Sequence, residues 1–261
     1  MSSDNITFSF GENWRDFVKQ VDKDDINRAN EDILSWISAD NIAGKRVLDI
    51  GCGSGLHSYC FYNQKVSELV SIDVDKSSVD ATHVMREYAG EPDNWQVDTI
   101  SVLDNCKLEP LGVFNIVYSW GVLHHTGKMW EAIENAAKMV DCGGLFFISL
   151  YKKGEKYPKD LAIKRHYNNL SSIGKKLFVY KKIIKIMWKR LKKGKNPFAW
   201  NERVERGMNR YHDLIDWYGG LPYEVASTDE VEEFLKNMSF EMVKFKETKE
   251  RCCNVYLFKK K

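Results

Sequence analysis

Glycine at every second position of Gly51-Cys52-Gly53-Ser54-Gly55 leaves a turn almost bare of side chains, so a ligand can approach its backbone closely. The run Val47-Leu48-Asp49-Ile50 enters this turn as a strand. A helical stretch starts at about Leu56 and offers N–H groups at its beginning. Asp73 stands 22 residues after Gly51, at the end of a second strand, where a carboxylate can accept both hydroxyls of a ribose. A tight structural turn would also need glycines, but turn and acid together favour a bound nucleotide-like ligand. The dinucleotide fingerprint requires Gly or Ala where this chain has Leu56, and no Gly-Lys-Ser/Thr follows, so neither that pattern nor a P-loop is met.

Two further groups carry proton chemistry. His124 and His125 follow a fourth strand, where a general base would sit beside a ligand at the sheet edge. Adjacent residues cannot both point into one pocket from a regular element, so one is expected to act and the other to support; a purely structural pair is the competing reading. The second group is Arg210-Tyr211-His212-Asp213-Leu214-Ile215-Asp216-Trp217-Tyr218-Gly219-Gly220-Leu221-Pro222-Tyr223-Glu224. Its mixture of aromatic and polar residues suits recognition. His212 and Asp216, at i and i+4, fit an oriented imidazole–carboxylate pair or an ordinary surface pair. His57, His83 and His166 are isolated and read as structural or solvent-facing.

The elements that must position these groups follow from periodicity. Lys45–Ile50, Leu69–Asp73, Trp95–Ile100, Val113–Tyr118 and Leu145–Leu150 read as strands, with helices between them from about Leu56, from Asp75 to Ala89 and from Trp130 to Val140. Alternation of this kind predicts a parallel sheet with right-handed crossovers. The rhythm breaks from Tyr151 to about Ala226. It resumes with a helix near Ser227–Met238 and an antiparallel pair, Phe240–Phe245 and Asn254–Phe258.

Gly51-x-Gly53-x-Gly55 preceded by Asp49 resembles the first motif of class I S-adenosylmethionine-dependent methyltransferases of the small-molecule, O-methyltransferase type. Ser101-Val102-Leu103-Asp104, the stretch Phe114 to Thr126, and Asp141-Cys142-Gly143-Gly144-Leu145 are similar to that family's later motifs, with Cys142 in place of the usual proline. The resemblance covers about Gly44 to Tyr151 plus the C-terminal hairpin. It implies a Rossmann-like α/β fold: a mostly parallel seven-stranded sheet, an antiparallel C-terminal hairpin and a helical insertion after the fifth strand. It also implies S-adenosyl-L-methionine as donor and S-adenosyl-L-homocysteine as product. Gly51, Cys52 and Gly53 would line the methionine end, Asp73 would hold the ribose, and Ser101, Val102 and Leu103 would bracket adenine. The Trp120 carbonyl would lie near the methionine amino group, and Asp49 would orient the turn. Trp14 is expected either in an N-terminal cover over the ligand or in plain packing.

These readings divide one methyltransferase domain, 1–261, into an N-terminal helical cover (1–43), a cofactor-binding core (44–151), a helical substrate or lid insertion (152–226) and a C-terminal helix with hairpin (227–261). The expected reaction is O-methylation of a small-molecule, sugar or phosphorylated acceptor with a histidine base. A non-catalytic nucleotide-binding scaffold or sensor is the alternative. No zinc spacing or other metal site is expected.

Composition bounds the rest. The chain has 261 residues, 43% hydrophobic and 29% charged, which is enough for a sizeable core. It lacks an apolar run of membrane-spanning length and a basic–apolar leader, so a cytoplasmic protein is expected. Charge is strongly segregated: Lys152 to Trp200 holds 16 Lys/Arg against 2 Asp/Glu, while the remainder holds 23 against 35. Within that zone, Ile173, Leu177, Tyr180, Ile184, Met187, Trp188 and Leu191 share one helical face and lysines the other. Three roles compete for residues 173–193. The helix caps the site with its apolar face inward, or it lies on an anionic membrane near a lipid-linked acceptor, or its lysines gather an anionic substrate. Nucleic acid is not expected as a partner, because no recognised binding module is present.

Overall fold

Strands rich in β-branched and aromatic residues separated by amphipathic helices fold as βαβ units, and the computed structural model, which describes residues 21–201, 210–249 and 251–261, shows this arrangement. Seven strands, β1 (Arg46–Ile50), β2 (Glu68–Asp73), β3 (Trp95–Thr99), β4 (Phe114–Trp120), β5 (Val140–Tyr151), β6 (Phe240–Lys246) and β7 (Cys253–Lys260), form one sheet in the order β3-β2-β1-β4-β5-β7-β6. All neighbours from β3 to β5 pair in parallel, and β7 runs antiparallel to both β5 and β6.

Helices α1 (Lys23–Trp36), α2 (Ala39–Ile42), α3 (Leu56–Asn63) and α4 (Lys76–Tyr88) precede β3. The α5 turn (Asn105–Leu108) and α6 (Met129–Lys138) flank β4, and α10 (Thr228–Asn237) precedes β6. Local chemistry fixes their starts. Asp75 caps α4 by accepting from the Ser77 N–H, and Ser227 caps α10 in a reciprocal box with Glu230. Both faces of the sheet are covered. Leu48, Val117, Phe146 and Ile133 belong to one core layer, and Val47, Ile116, Phe61 and Ile33 to the other.

Two expectations need correction. The helix expected from Trp130 to Val140 is shorter: α6 stops at Lys138 and β5 already starts at Val140, with Gly143-Gly144 inside the strand. The register slips between Phe114 and Ile116 there, so the glycines form an irregularity inside a strand that was long enough to absorb it. The second correction concerns the insertion, built from α7 (Tyr157–Asn168), α8 (Ser172–Lys192) and α9 (Arg210–Gly219). Of the three roles open to residues 173–193, the inward cap is the one that fails, because the apolar stripe of α8 is not turned inward. Val179 and Ile183 are its buried residues, packed with Tyr167 of α7 and Tyr218 of α9, and Ile173, Leu177, Tyr180, Ile184, Trp188 and Leu191 face outward. Phe178 and Met187 pack partly against the same cluster, so the inner position is set by which arc of α8 meets the rings of α7 and α9 and not by side-chain size.

The insertion is tied to the C-terminal hairpin by an ion pair whose carboxylate is buried and whose guanidinium is half-buried. Arg251, in the turn between β6 and β7, donates from Nε and Nη2 to the two Asp160 oxygens of α7 at 2.8 and 2.5 Å. Trp14 and residues 1–20 lie outside the described residues, as does the stretch 202–209. The helical cover is described from Lys23 onward, where Ala29 and Ile33 of α1 are buried and Gln64 donates to Asn30.

Candidate functional site

The parallel register sets Asp49 opposite Tyr118, so the turns that leave β1 and β4 emerge at one level of the sheet's carboxyl edge. Strand order reverses direction between these two strands, the place where open α/β sheets bind ligands. Gly51, Gly53 and Gly55 all take positive φ (76°, 56° and 75°). Gly51 is also sterically forced: a Cβ there would lie 2.3–2.9 Å from the Val122 side chain, which follows β4. Gly51→Ala is expected to cost about 2–4 kcal/mol from left-handed strain and overpacking together. A thermal melt of Gly51→Ala with Val122→Ala should recover only the packing part.

Asp73 is bonded to the backbone on both sides of the site. Its Oδ2 accepts from the Gly53 N–H at 3.1 Å and its Oδ1 from the Asp75 N–H at 2.9 Å, so it shapes the turn. Each carboxylate oxygen keeps a further lone pair, enough to receive a diol. Burial raises its pKa to about 6, against the backbone bonds, which lower it. Asp49 is buried, and its Oδ2 ends a one-way chain of donors: Trp95 Nε1 to Ser71, Ser71 to Ser58, and Ser58 to Asp49 at 2.5 Å. Burial raises Asp49 to about 7, with the charge of Asp73 adding to the rise. Asp49 is thus tied to Ser58 of α3, the helix that follows the turn. The Cys52 side chain is buried against the Thr82 hydroxyl, which lies 3.2 Å from both its sulfur and the Gly53 carbonyl. Burial pushes this thiol up, so it is no nucleophile.

Beyond β3, Ser101 accepts from the Leu103 N–H and closes a turn with Asp104. Val102 is buried in the core, and its carbonyl accepts from Asn135 of α6 at 3.0 Å. Trp120 ends β4 beside Ser149 of β5. The bare turn, an acid with spare acceptor capacity and a polar turn after β3 together fit the chemistry of a nucleoside with a charged tail.

The histidine pair occupies a short helical turn, Leu123–His125, and the two rings differ. His124 is fully buried: its Nδ1 lies 3.4 Å from the Tyr151 N–H, and its Nε2 has no hydrogen bond among the described residues. His125 Nδ1 lies 2.6 Å from the Pro222 carbonyl. A carbonyl only accepts, so Nδ1 carries the proton and Nε2 is the basic nitrogen. A Cβ on Gly220 would lie 2.7 Å from Cε1 and 3.2 Å from Nε2, so Gly220 must be bare for this ring to fit. Burial, with the positive charge of Lys164 second, lowers His125 to about 3.

Lys164 of α7 escaped sequence reasoning. It is fully buried, donates to the Trp217 carbonyl, and holds its ammonium 4.6 Å over the Tyr223 ring, 4.8 Å over Trp217 and 5.5 Å over Tyr151. Burial lowers its pKa to about 7, with Asp160 and Asp216 among the charges that oppose the fall. Among the sixteen cations of that zone nothing marks Lys164 in the sequence. The Gly219 to Glu224 stretch did carry a signal, and Glu224 now closes the site by donating its N–H to the His124 carbonyl and accepting from the Met129 N–H. Asp216 lies on α9 at helical spacing from His212, whose side chain lies outside the described residues.

A seven-stranded sheet of this order, with a bare turn after β1 and an acid after β2, defines a Rossmann-like enzyme fold with a nucleoside-type site. A family model described as a methyltransferase domain matches residues 22–182, well over half of the chain, and the chain belongs to that class I family, whose methyl donor is S-adenosylmethionine. The ubiquinone biosynthesis O-methyltransferase of Proteus mirabilis is 27% identical over 133 residues, covering 50% of this chain and 53% of that one. A tRNA U34 carboxymethyltransferase of Methylococcus capsulatus is 29% identical over 116 residues, covering 44% and 35%. The chain thus matches about half the length of the first relative and about a third of the second. The fold resembles that of magnesium protoporphyrin IX methyltransferase from Synechocystis PCC 6803, solved with bound SAH, at a TM-score of 0.56 and 15% identity over 92% of this chain and 89% of that one.

Proposed function

We propose that this protein methylates a hydroxyl of a small-molecule, sugar or phosphorylated acceptor, with His125 as general base. The observation that carries the reading is the His125 ring, fixed by the Pro222 carbonyl beside the carboxyl edge of β4 with its proton on the far nitrogen. When bound, S-adenosylmethionine supplies a methyl group activated by a sulfonium. The turn at Gly51–Gly53 and the carboxylate of Asp73 would hold it, with Ser101 to Leu103 beside the adenine. His125 then receives the hydroxyl proton at Nε2 while its Nδ1–H stays donated to the Pro222 carbonyl, and His124 supports it through ring contact at 4.4 Å. Asp216 and the Lys164 cage close the acceptor end, and the insertion excludes water. The match to an O-methyltransferase supports an oxygen acceptor.

Calorimetry separates this from other nucleotide chemistry. S-adenosylmethionine and S-adenosylhomocysteine are expected to bind and NAD is not; binding of NAD alone would overturn the reading. Release of S-adenosylhomocysteine across a panel of hydroxylated acceptors then separates an enzyme from a non-catalytic scaffold.

A further inference from the structure

The outward stripe of α8 is built like an interfacial helix. Ile173, Leu177, Tyr180, Ile184, Trp188 and Leu191 are each 53–73% exposed. At the α-helical repeat they share an arc about 80° wide along roughly 27 Å. Phe198, just beyond the helix, is 79% exposed. The helix carries eight Lys/Arg and no acid. Lys181, Lys185 and Lys192 border the stripe on the flank away from the buried Val179 and Ile183, and Lys192 Nζ lies 4.8 Å over the Trp188 ring.

We propose that α8 docks in the plane of an anionic bilayer surface, its stripe entering the boundary between headgroups and acyl chains and its lysines meeting lipid phosphates. Charge complementarity selects this occupant. A symmetric second copy would bring eight cations against eight. Nucleic acid would match the cations but leave six large apolar side chains in water. Trp188 and Tyr180 have the amphipathic rings that settle at headgroup depth. Docking also reaches the site: Phe178 packs edge-on at 5.0 Å against Tyr218 of α9, the helix that runs into Gly220 and Pro222 around His125. An amphiphilic acceptor held in the bilayer is therefore the substrate class this geometry suits. That last step rests on the function proposed above, whereas the docking does not.

Flotation of the full chain with vesicles of phosphatidylcholine, alone or mixed with phosphatidylglycerol, tests the docking without any cofactor, so its failure leaves the methyl-transfer reading standing. Wild type is expected to float with the anionic vesicles and not with the neutral ones. Ile184→Ser/Trp188→Ser and Lys181→Gln/Lys185→Gln/Lys189→Gln should each lower the partition coefficient about tenfold or more. These positions are exposed, and unchanged melting curves would certify the fold of each variant. Absence of flotation, or flotation insensitive to the apolar pair, overturns the proposal. So does a wild-type dimer that the apolar pair converts to monomer, or tight capture of a short RNA duplex without flotation.

Discussion

Asp73→Ala should lower the affinity for S-adenosylmethionine by about 100-fold or more, read by calorimetry. A hydrogen bond to a charged group contributes about 1.5–3 kcal/mol, and a ribose diol makes two of them. The substitution also removes the acceptor of the Gly53 N–H at 3.1 Å, so the turn itself loosens. Asp73→Asn keeps one acceptor oxygen for Gly53 and should lose less. The pH dependence has a definite sign. Burial raises Asp73 to about 6 in the folded protein, and in the proposed role the ionised form would accept both hydroxyls, so affinity should fall as pH drops through about 6. Stability moves the other way. A carboxyl whose folded pKa lies above its unfolded value holds its proton more tightly when folded, so its contribution is present at low pH and lost as pH rises through about 6. Asp49, raised to about 7 by burial, acts in the same direction. Calorimetry against pH should thus show binding weakening where these two carboxyls favour the apo fold, and Asp73→Asn should flatten the binding curve near 6.

The sheet and the glycine turn were readable because strand and helix periodicities alternate cleanly and because positive φ at Gly51, Gly53 and Gly55 demands a residue without a side chain. The mate of Asp73 was less visible: the sequence points to a ribose, and the structure adds the Gly53 N–H as a second partner of the same carboxylate. Helical periodicity placed the apolar stripe of α8 correctly on one side, but a period says nothing about which side meets the protein. Contact with Tyr167 and Tyr218 decided that in favour of Val179 and Ile183. Lys164 was invisible for a different reason. Its cage comes from Tyr151 at the end of β5, Trp217 in α9 and Tyr223 after the Gly219-Gly220 turn, three segments that only tertiary folding brings together. One lysine in a lysine-rich stretch has no local mark of burial.

His125→Ala should lower kcat for methyl transfer by about 10²–10⁴-fold while leaving donor affinity unchanged, the loss expected for a positioned base. His124→Ala should act on stability more than on rate, since that ring is fully buried and packs 4.3 Å from Tyr151. Lys164 makes the assignment testable beyond a simple loss. Held down to about 3, His125 is neutral throughout the physiological range and sets no acidic limb there. Lys164, lowered to about 7, gains its charge as pH falls through that value, and this charge opposes protonation of His125. The rate should therefore decline below about pH 7, and Lys164→Met should remove that limb and leave the one near 6 that belongs to Asp73. The same variant has a stability signature. Folding strips the proton from an amine that the unfolded chain keeps up to its ordinary pKa of 10.5, so wild-type stability should rise from about pH 7 towards 10.5. Lys164→Met should flatten that rise. A flat stability curve with an unmoved rate limb would mean that the Lys164 charge does not reach His125.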